Sequence, residues 1–427
     1  MGNAKVAARM AVGILIAGVL LPVAARAESS ASDYVGLTSE DVGVMERARP
    51  AYDAKGLPLG GFRLFPALYV NAAYDDNVFR TASAQSDWFF TVAPTIRLKS
   101  QWGRHFFEIY SGVEDYNYTK LTGENLTDWR IGTDGRVDIS RAANVTANAY
   151  YGEDHELWSA PNNLVGYQAS PNRYYQIHSD VIGAYQPNRL GFQLGGAFDR
   201  YVWTKTAAIG GGTLFNGDRN ENEYQAFGKV YYDFSPGYSG YIKTSYDERD
   251  FDQFFDRSGL HRSSHGYRVD GGMNVQISHL VKGEFFVGYL QQNFADLALK
   301  DVSGVDFGAE LDWLVSPVLT AHLSAKRTLD NVVLSGVSMA DNKQVTLALD
   351  YEFRPNIILQ ASGGYTNSKY VGSTRTDDNP SAAVGVRYLV NRYASLDLSY
   401  RYSHRSTDTA AIEYTDNTLS LSLGLHL

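Results

Sequence analysis

From about Phe62 to the last residue, extended segments alternate apolar and polar positions, less cleanly in 104–140 and 263–296, and this pattern limits what the chain can fold into. In the final segment Leu419, Leu421, Leu423, Leu425 and Leu427 take one side of the alternation, and Ser420, Ser422, Gly424 and His426 take the other. Val345, Leu347, Leu349, Tyr351 and Phe353 oppose Gln344, Thr346, Asp350 and Glu352 in the same way. Val305, Phe307, Ala309, Leu311 and Trp313 oppose Asp306, Gly308, Glu310 and Asp312. Side chains of an extended strand point alternately to its two faces, so a period of two with one apolar face reads as strand. A helix would need a period near 3.6. The chain is therefore expected to be all-β.

The start of the chain reads differently. Lys5 and Arg9 precede an apolar stretch at 11–21, and Ala25-Arg26-Ala27 closes it with a small-x-small cleavage pattern, so residues 1–27 read as a secretory signal peptide. No later stretch is apolar for the ~20 residues that a spanning helix needs. With Cys 0, disulfides, thiolate catalysis and zinc ribbons are excluded. A formal net charge of −9 argues against a nucleic-acid partner, which would need a basic patch. An exported chain of alternating strands is either a soluble β protein or a barrel in an outer membrane. The apolar face decides for the barrel. A closed barrel satisfies its backbone hydrogen bonds between strands and needs no continuous apolar run.

Two kinds of turn alternate along the chain. Short ones with Pro, Gly or Asn fall near residues 102, 143, 187, 236, 280, 317, 355 and 391. Longer polar ones fall at 159–172, 205–218, 252–262, 332–342, 371–379 and 406–413, with weaker members at 80–87, 120–126 and 294–303. Short periplasmic turns and long outer loops are what outer-membrane barrels show. Eight short turns separate nine hairpins, which predicts a transmembrane antiparallel β-barrel of about 18 strands (16–18) over residues 62–427. The expected location is the outer membrane of a Gram-negative bacterium. Residues 28–61 read as a periplasmic N-terminal extension, either flexible, as termini usually are, or tucked into the lumen as a partial plug.

Two stretches carry a resemblance. Arg49-Pro50-Ala51-Tyr52-Asp53-Ala54-Lys55-Gly56, followed by Tyr74-Asp75-Asp76-Asn77-Val78-Phe79-Arg80-Thr81, resembles the opening of the outer-membrane beta-barrel porin family, some members of which are encoded with exopolysaccharide or capsule export operons. The resemblance implies an outer-membrane channel. The chain departs from such barrels in ending in His426-Leu427 where they commonly end in Phe.

Assigning strands by their apolar positions places a set of charges on the inner face. The candidate lumen-lining residues are Arg97, Arg136, Asp138, Lys229, Lys243, Arg268, Asp306, Glu310, Asp312, Lys326, Asp350, Glu352, Arg387, Asp397 and Arg401. A lipid-facing Arg or Lys costs about 2–4 kcal/mol at the bilayer midplane, which supports the inward assignment. These charges either line a translocation path or pair to stiffen the wall. Tyrosines read mainly as an interfacial girdle. Adjacent pairs such as Tyr150-Tyr151 and Tyr231-Tyr232 must send one ring to each face. Asp75-Asp76-Asn77 reads as a turn rather than a calcium loop, because it lacks a spaced ligand set. No histidine sits in a hydrolase motif, so no catalytic, cofactor or metal site is expected. The leading functional expectation is a channel serving as a conduit for exopolysaccharide export, with a general diffusion porin for small solutes, or a structural or adhesive role, as the alternatives. Expected partners are outer-membrane lipid, the barrel-assembly machinery, and possible polysaccharide and periplasmic export components.

Overall fold

The computed structural model describes residues 42–163, 167–277 and 280–427. The signal peptide assigned to 1–27 and the first part of the extension lie outside the described residues. Eighteen antiparallel strands form one closed sheet. They are β1 Phe62–Asp75, β2 Asp87–Ser100, β3 Phe106–Tyr118, β4 Leu126–Asp138, β5 Ala143–His155, β6 Arg173–Tyr185, β7 Leu190–Trp203, β8 Glu221–Ser235 and β9 Tyr238–Phe251. The remainder are β10 Ser264–Ile277, β11 Val281–Phe294, β12 Val302–Ser316, β13 Leu319–Asn331, β14 Met339–Arg354, β15 Ile357–Tyr370, β16 Thr376–Asn391, β17 Ala394–Thr407 and β18 Tyr414–His426. Each strand pairs with its sequence neighbours, and β1 closes on β18 from Ala67↔His426 to Asp75↔Thr418. Among the described residues the only helical pieces are three short 3₁₀ turns in outer loops.

The alternation in sequence is the alternation in space. Leu419, Leu421, Leu423 and Leu425 are exposed on the outer face, with Leu421 at 51 %. The inner face is sealed by polar contacts: the Ser399 and Ser420 hydroxyls lie 2.8 Å apart across the β17–β18 pair. The adjacent tyrosines divide as strand geometry requires. Tyr151 and Tyr232 are exposed on the outside, while Tyr150 stacks on the inward His178 at 4.9 Å between ring centres.

The strands continue beyond the end of their polar–apolar contrast. β16 begins at Thr376 and β14 at Met339, inside the segments 371–379 and 332–342 that the sequence marks as loop. Strands of 13–16 residues exceed the ~9–11 that a bilayer requires. The surplus forms a wall above the lipid, where water on the outside removes the demand for apolar residues. Three prolines, Pro66, Pro94 and Pro380, sit inside the barrel strands, and the last two cost some pairing. The β2–β3 ladder skips Ala93 and Pro94, and the β16–β17 ladder skips Asn379 and Pro380, since proline has no N–H to donate.

The described part of the N-terminal extension does not trail free. Residues 42–56 lie in the periplasmic mouth, where Val44 is fully buried. Leu57–Leu59 then turns back to pair with Phe62–Leu64. Gly56 N–H donates to the Leu427 carbonyl at 3.1 Å, so this short strand continues the lane that β18 leaves.

The outer-face assignment makes a direct prediction. Leu421→Arg should impair outer-membrane assembly, by about 2–4 kcal/mol for a charge facing lipid. Ser422→Arg, which faces inward directly opposite Asp397, should assemble. Ser420→Arg should be worse than Ser422→Arg, because Ser420 is already buried against Ser399. Heat-modifiable migration of membrane fractions reads the difference.

Candidate functional site: the lumen

The inner faces of the strands enclose a cavity of about 1850 Å³. Its floor at the periplasmic end includes Met45–Arg49 and Tyr52–Ala54, and its roof includes Glu156–Asn162 of the β5–β6 loop. The roof loop is held inward by its own chemistry. Trp158 is buried, its indole N–H donates to Glu124 at 2.7 Å, and its ring packs edge-on against Phe79. Burial in this outer-loop cluster pushes the Glu124 carboxyl up to about 7. Arg219 grips both Glu156 oxygens at 3.0 and 2.5 Å and stacks on Trp203. The loop meets the β13–β14 loop through Val333 N–H and Asn162 Oδ1 at 2.7 Å, and Arg405 donates to the Ser159 carbonyl. The β13–β14 loop is fixed in turn by Arg262, whose guanidinium donates to the carbonyls of Val332, Leu334 and Val337.

Of the charges singled out in sequence, Arg97, Arg136, Lys229, Lys243, Arg268, Asp306, Glu310, Lys326 and Arg387 border the cavity. The others lie on the inner wall without bordering it. Asp138 pairs with Arg136 at 3.0 Å and Asp397 with Arg387 at 2.5 Å. Asp312 and Asp350 flank His322 at 2.6 and 3.3 Å. Glu352 receives Arg47 and Arg49 from the N-terminal segment at 3.0 and 2.9 Å. Arg401 sits between Ala383 and Thr418 on neighbouring strands.

Most of the cavity-lining charges are spoken for. Arg97 pairs with Glu108 at 2.5 Å, Lys229 with Glu284 at 3.0 Å and Arg268 with Asp306 at 3.5 Å. Sequence reading passed over Arg130 and Asp154, which pair at 2.7 Å on β4 and β5, and Glu223, which faces Arg249 at 3.5 Å. Their inward parity was visible, but their partners sit on other strands and only the register brings them together. Among the described residues Lys243, Lys326 and Glu310 bordering the cavity have no ion-pair partner.

The inward aromatic rings follow a rule of their own. Tyr110 lies directly opposite Gly132, Phe227 opposite Gly195, Tyr241 opposite Gly272 and Phe286 opposite Gly308. A Cβ added at those glycines would fall 2.5, 2.2, 2.3 and 2.3 Å from the ring. Each ring therefore lies down over the bare backbone of an adjacent strand and covers the glycine.

The Asp75-Asp76-Asn77 turn is built from Asx bonding: Asn77 N–H donates to Asp75 Oδ1 at 2.7 Å. Asp75, Asp76 and Asp416 converge there. The positive charge beside them is Arg80, 3.1 Å from Asp416.

Comparison with known proteins adds the family. A family model described as Putative beta-barrel porin 2 matches residues 49–427. No curated protein matches the chain in sequence. Among solved structures, Pseudomonas aeruginosa OccK2 (OpdF) in complex with glucuronate is similar at 10% identity, with a TM-score of 0.46 over 87% of this chain and 100% of that one. Pseudomonas aeruginosa OpdL is similar at 11% identity, with a TM-score of 0.44 over 86% of this chain and 99% of that one.

The ring-over-glycine contacts are testable as pairs. Gly308→Ala should cost about 1–3 kcal/mol by overpacking against the Phe286 ring. Phe286→Leu in the same chain should recover part of that loss, since a smaller side chain makes room for the methyl group. Urea unfolding of the folded barrel in detergent, run as a double-mutant cycle, measures the coupling. Additive losses would mean that the ring does not rest on Gly308.

Proposed function

The chain belongs to the Putative beta-barrel porin 2 family, and from this premise we propose that its cargo is small hydrophilic solutes. It is an outer-membrane porin-like channel. The observation that carries the proposal is the shape of the path. The polar chamber has a floor formed by residues 45–54 and a roof formed by the β5–β6 loop. A small solute can pass such closures one after the other, whereas a polymer has to hold both open at once. Paired charges suit this task, because they wet the wall without trapping an ion of either sign. Within this reading the candidate lumen residues divide into wall pairs and a few free charges. Residues 1–27 act as the export signal, and the barrel-assembly machinery inserts the mature chain.

Glycan export is the second reading. It is favoured by the inward rings, which offer flat faces suited to stacking on sugars. Liposome swelling with solutes of graded size separates the two. Entry should be fast for monosaccharides and amino acids and should fall steeply for oligosaccharides. Equal entry of long oligosaccharides would transfer the case to glycan passage, and no entry of any solute would remove the channel.

Ion selectivity provides a finer test. Asp306, Glu310 and Asp312 share one strand face, yet Asp306 is held by Arg268 and Asp312 by His322. Glu310 is the unpaired acid of the three. Glu310→Gln should lower cation preference, most visibly at low salt, where the Debye length is about 30 Å at 0.01 M. Asp312→Asn should leave the preference nearly unchanged. Reversal potentials across a salt gradient distinguish them.

A further inference from the structure

The N-terminal segment has two ends of different character. At the barrel end it is rooted: Gly56 N–H bonds the Leu427 carbonyl, Arg63 donates to the Lys55 carbonyl at 2.7 Å, and Leu57–Leu59 is paired in the sheet. Gly56 also has φ +65°, and a Cβ there would meet the Arg63 and Phe65 side chains at 2.7 Å, so the chain leaves the wall at a sharp, glycine-only corner. From that corner, residues 55–42 run inside the mouth to the β13–β14 wall. At that far end the attachment is made of few contacts. Val44 N–H donates to Thr320 Oγ1 at 2.9 Å, and Arg47 and Arg49 converge on the same carboxylate oxygen of Glu352, at 3.0 and 2.9 Å. All three ion-pair side chains are at most 15 % exposed.

We infer that residues 42–55 form a strap that gates the periplasmic mouth, rooted at Gly56 and latched by Arg47 and Arg49 on Glu352. The inference rests on the channel reading and adds a moving part to it. Three features support a latch over a fixed floor. The strap has no strand pairing of its own, whereas Leu57–Leu59, directly after Gly56, is paired in the sheet. Its far-end ion pairs converge on a single carboxylate, Glu352, beside hydrogen bonds from Val44 N–H to Thr320 Oγ1 and from the Arg47 guanidinium to the Pro317 carbonyl. Its body borders the cavity, so releasing the far end removes the floor while the root keeps the strap attached to the barrel.

The sequence contains Cys 0, so an introduced pair forms an unambiguous bridge. Val44→Cys with Thr320→Cys, in the full chain, locks the far end when oxidised and frees it when reduced. In planar bilayers the oxidised form should stay in its low-conductance state, and a reductant should restore the wild-type record. Arg47→Gln with Arg49→Gln should show a higher conductance and shorter closed dwells than wild type, and Glu352→Gln should reproduce that shift. Heat-modifiable migration verifies that each variant is a folded barrel, and the bridge decides the matter if a latch variant is not. Identical records for oxidised and reduced bridge overturn the gate and leave the channel standing. Silence from every form, the latch variants and the reduced bridge included, overturns the channel reading and the gate with it.

Discussion

A peptide N–H or C=O left unpaired in hydrocarbon costs several kcal/mol, and this single penalty organises the whole molecule. It forces each strand to find two neighbours, and therefore forces β1 to find β18 across the full length of the barrel. The closure is not made by those two strands alone. The β1–β18 ladder stops at Ala67↔His426, and the lower part of β1 is paired instead by Leu57–Leu59. The seam lane is shared by two separate pieces of chain that meet at Gly56 and Leu427. The edge left there is only the three residues of Leu57–Leu59, and short edges resist templating aggregation.

Much of this architecture is legible in the sequence, because lipid imposes its rule one residue at a time. Leu419 to Leu427 announce their outward face without reference to any other strand, and the short turns near 102, 187 and 236 mark hairpin ends through Pro, Gly and Asn. Strand ends on the outer side are less legible. Thr376–Asn379 belong to a strand but read as loop, because these residues are polar on both faces, with Asp377 buried between Arg375 and Arg405. The placement of residues 42–56 is not legible either: Arg47 and Arg49 look like ordinary surface charges until the β14 carboxylate of Glu352 is placed beside them.

Inside the barrel, the chemistry of a charge depends on more than its own strand. Parity along one strand tells which way Arg97 or Arg387 points, but the identity of the partner depends on register between strands. Arg97 meets Glu108, Arg387 meets Asp397, and Arg130 meets Asp154, each pair across a strand boundary. These pairs are partly exposed to the lumen, so their worth in stability is modest. Their effect on the channel is larger than their effect on the fold. They pair off much of a heavily charged wall, leaving groups such as Lys243, Lys326 and Glu310 to shape the remaining field.

The rings that lie over glycines carry a consequence for how a barrel of this kind can change over generations. Tyr110 and Gly132, or Phe286 and Gly308, are single heritable units written at two distant sites. Mutating the glycine first drives a methyl group into a ring; mutating the ring first leaves bare backbone facing water. Drift is therefore channelled through paired exchanges, and the bore can keep its diameter while its lining is rewritten two residues at a time.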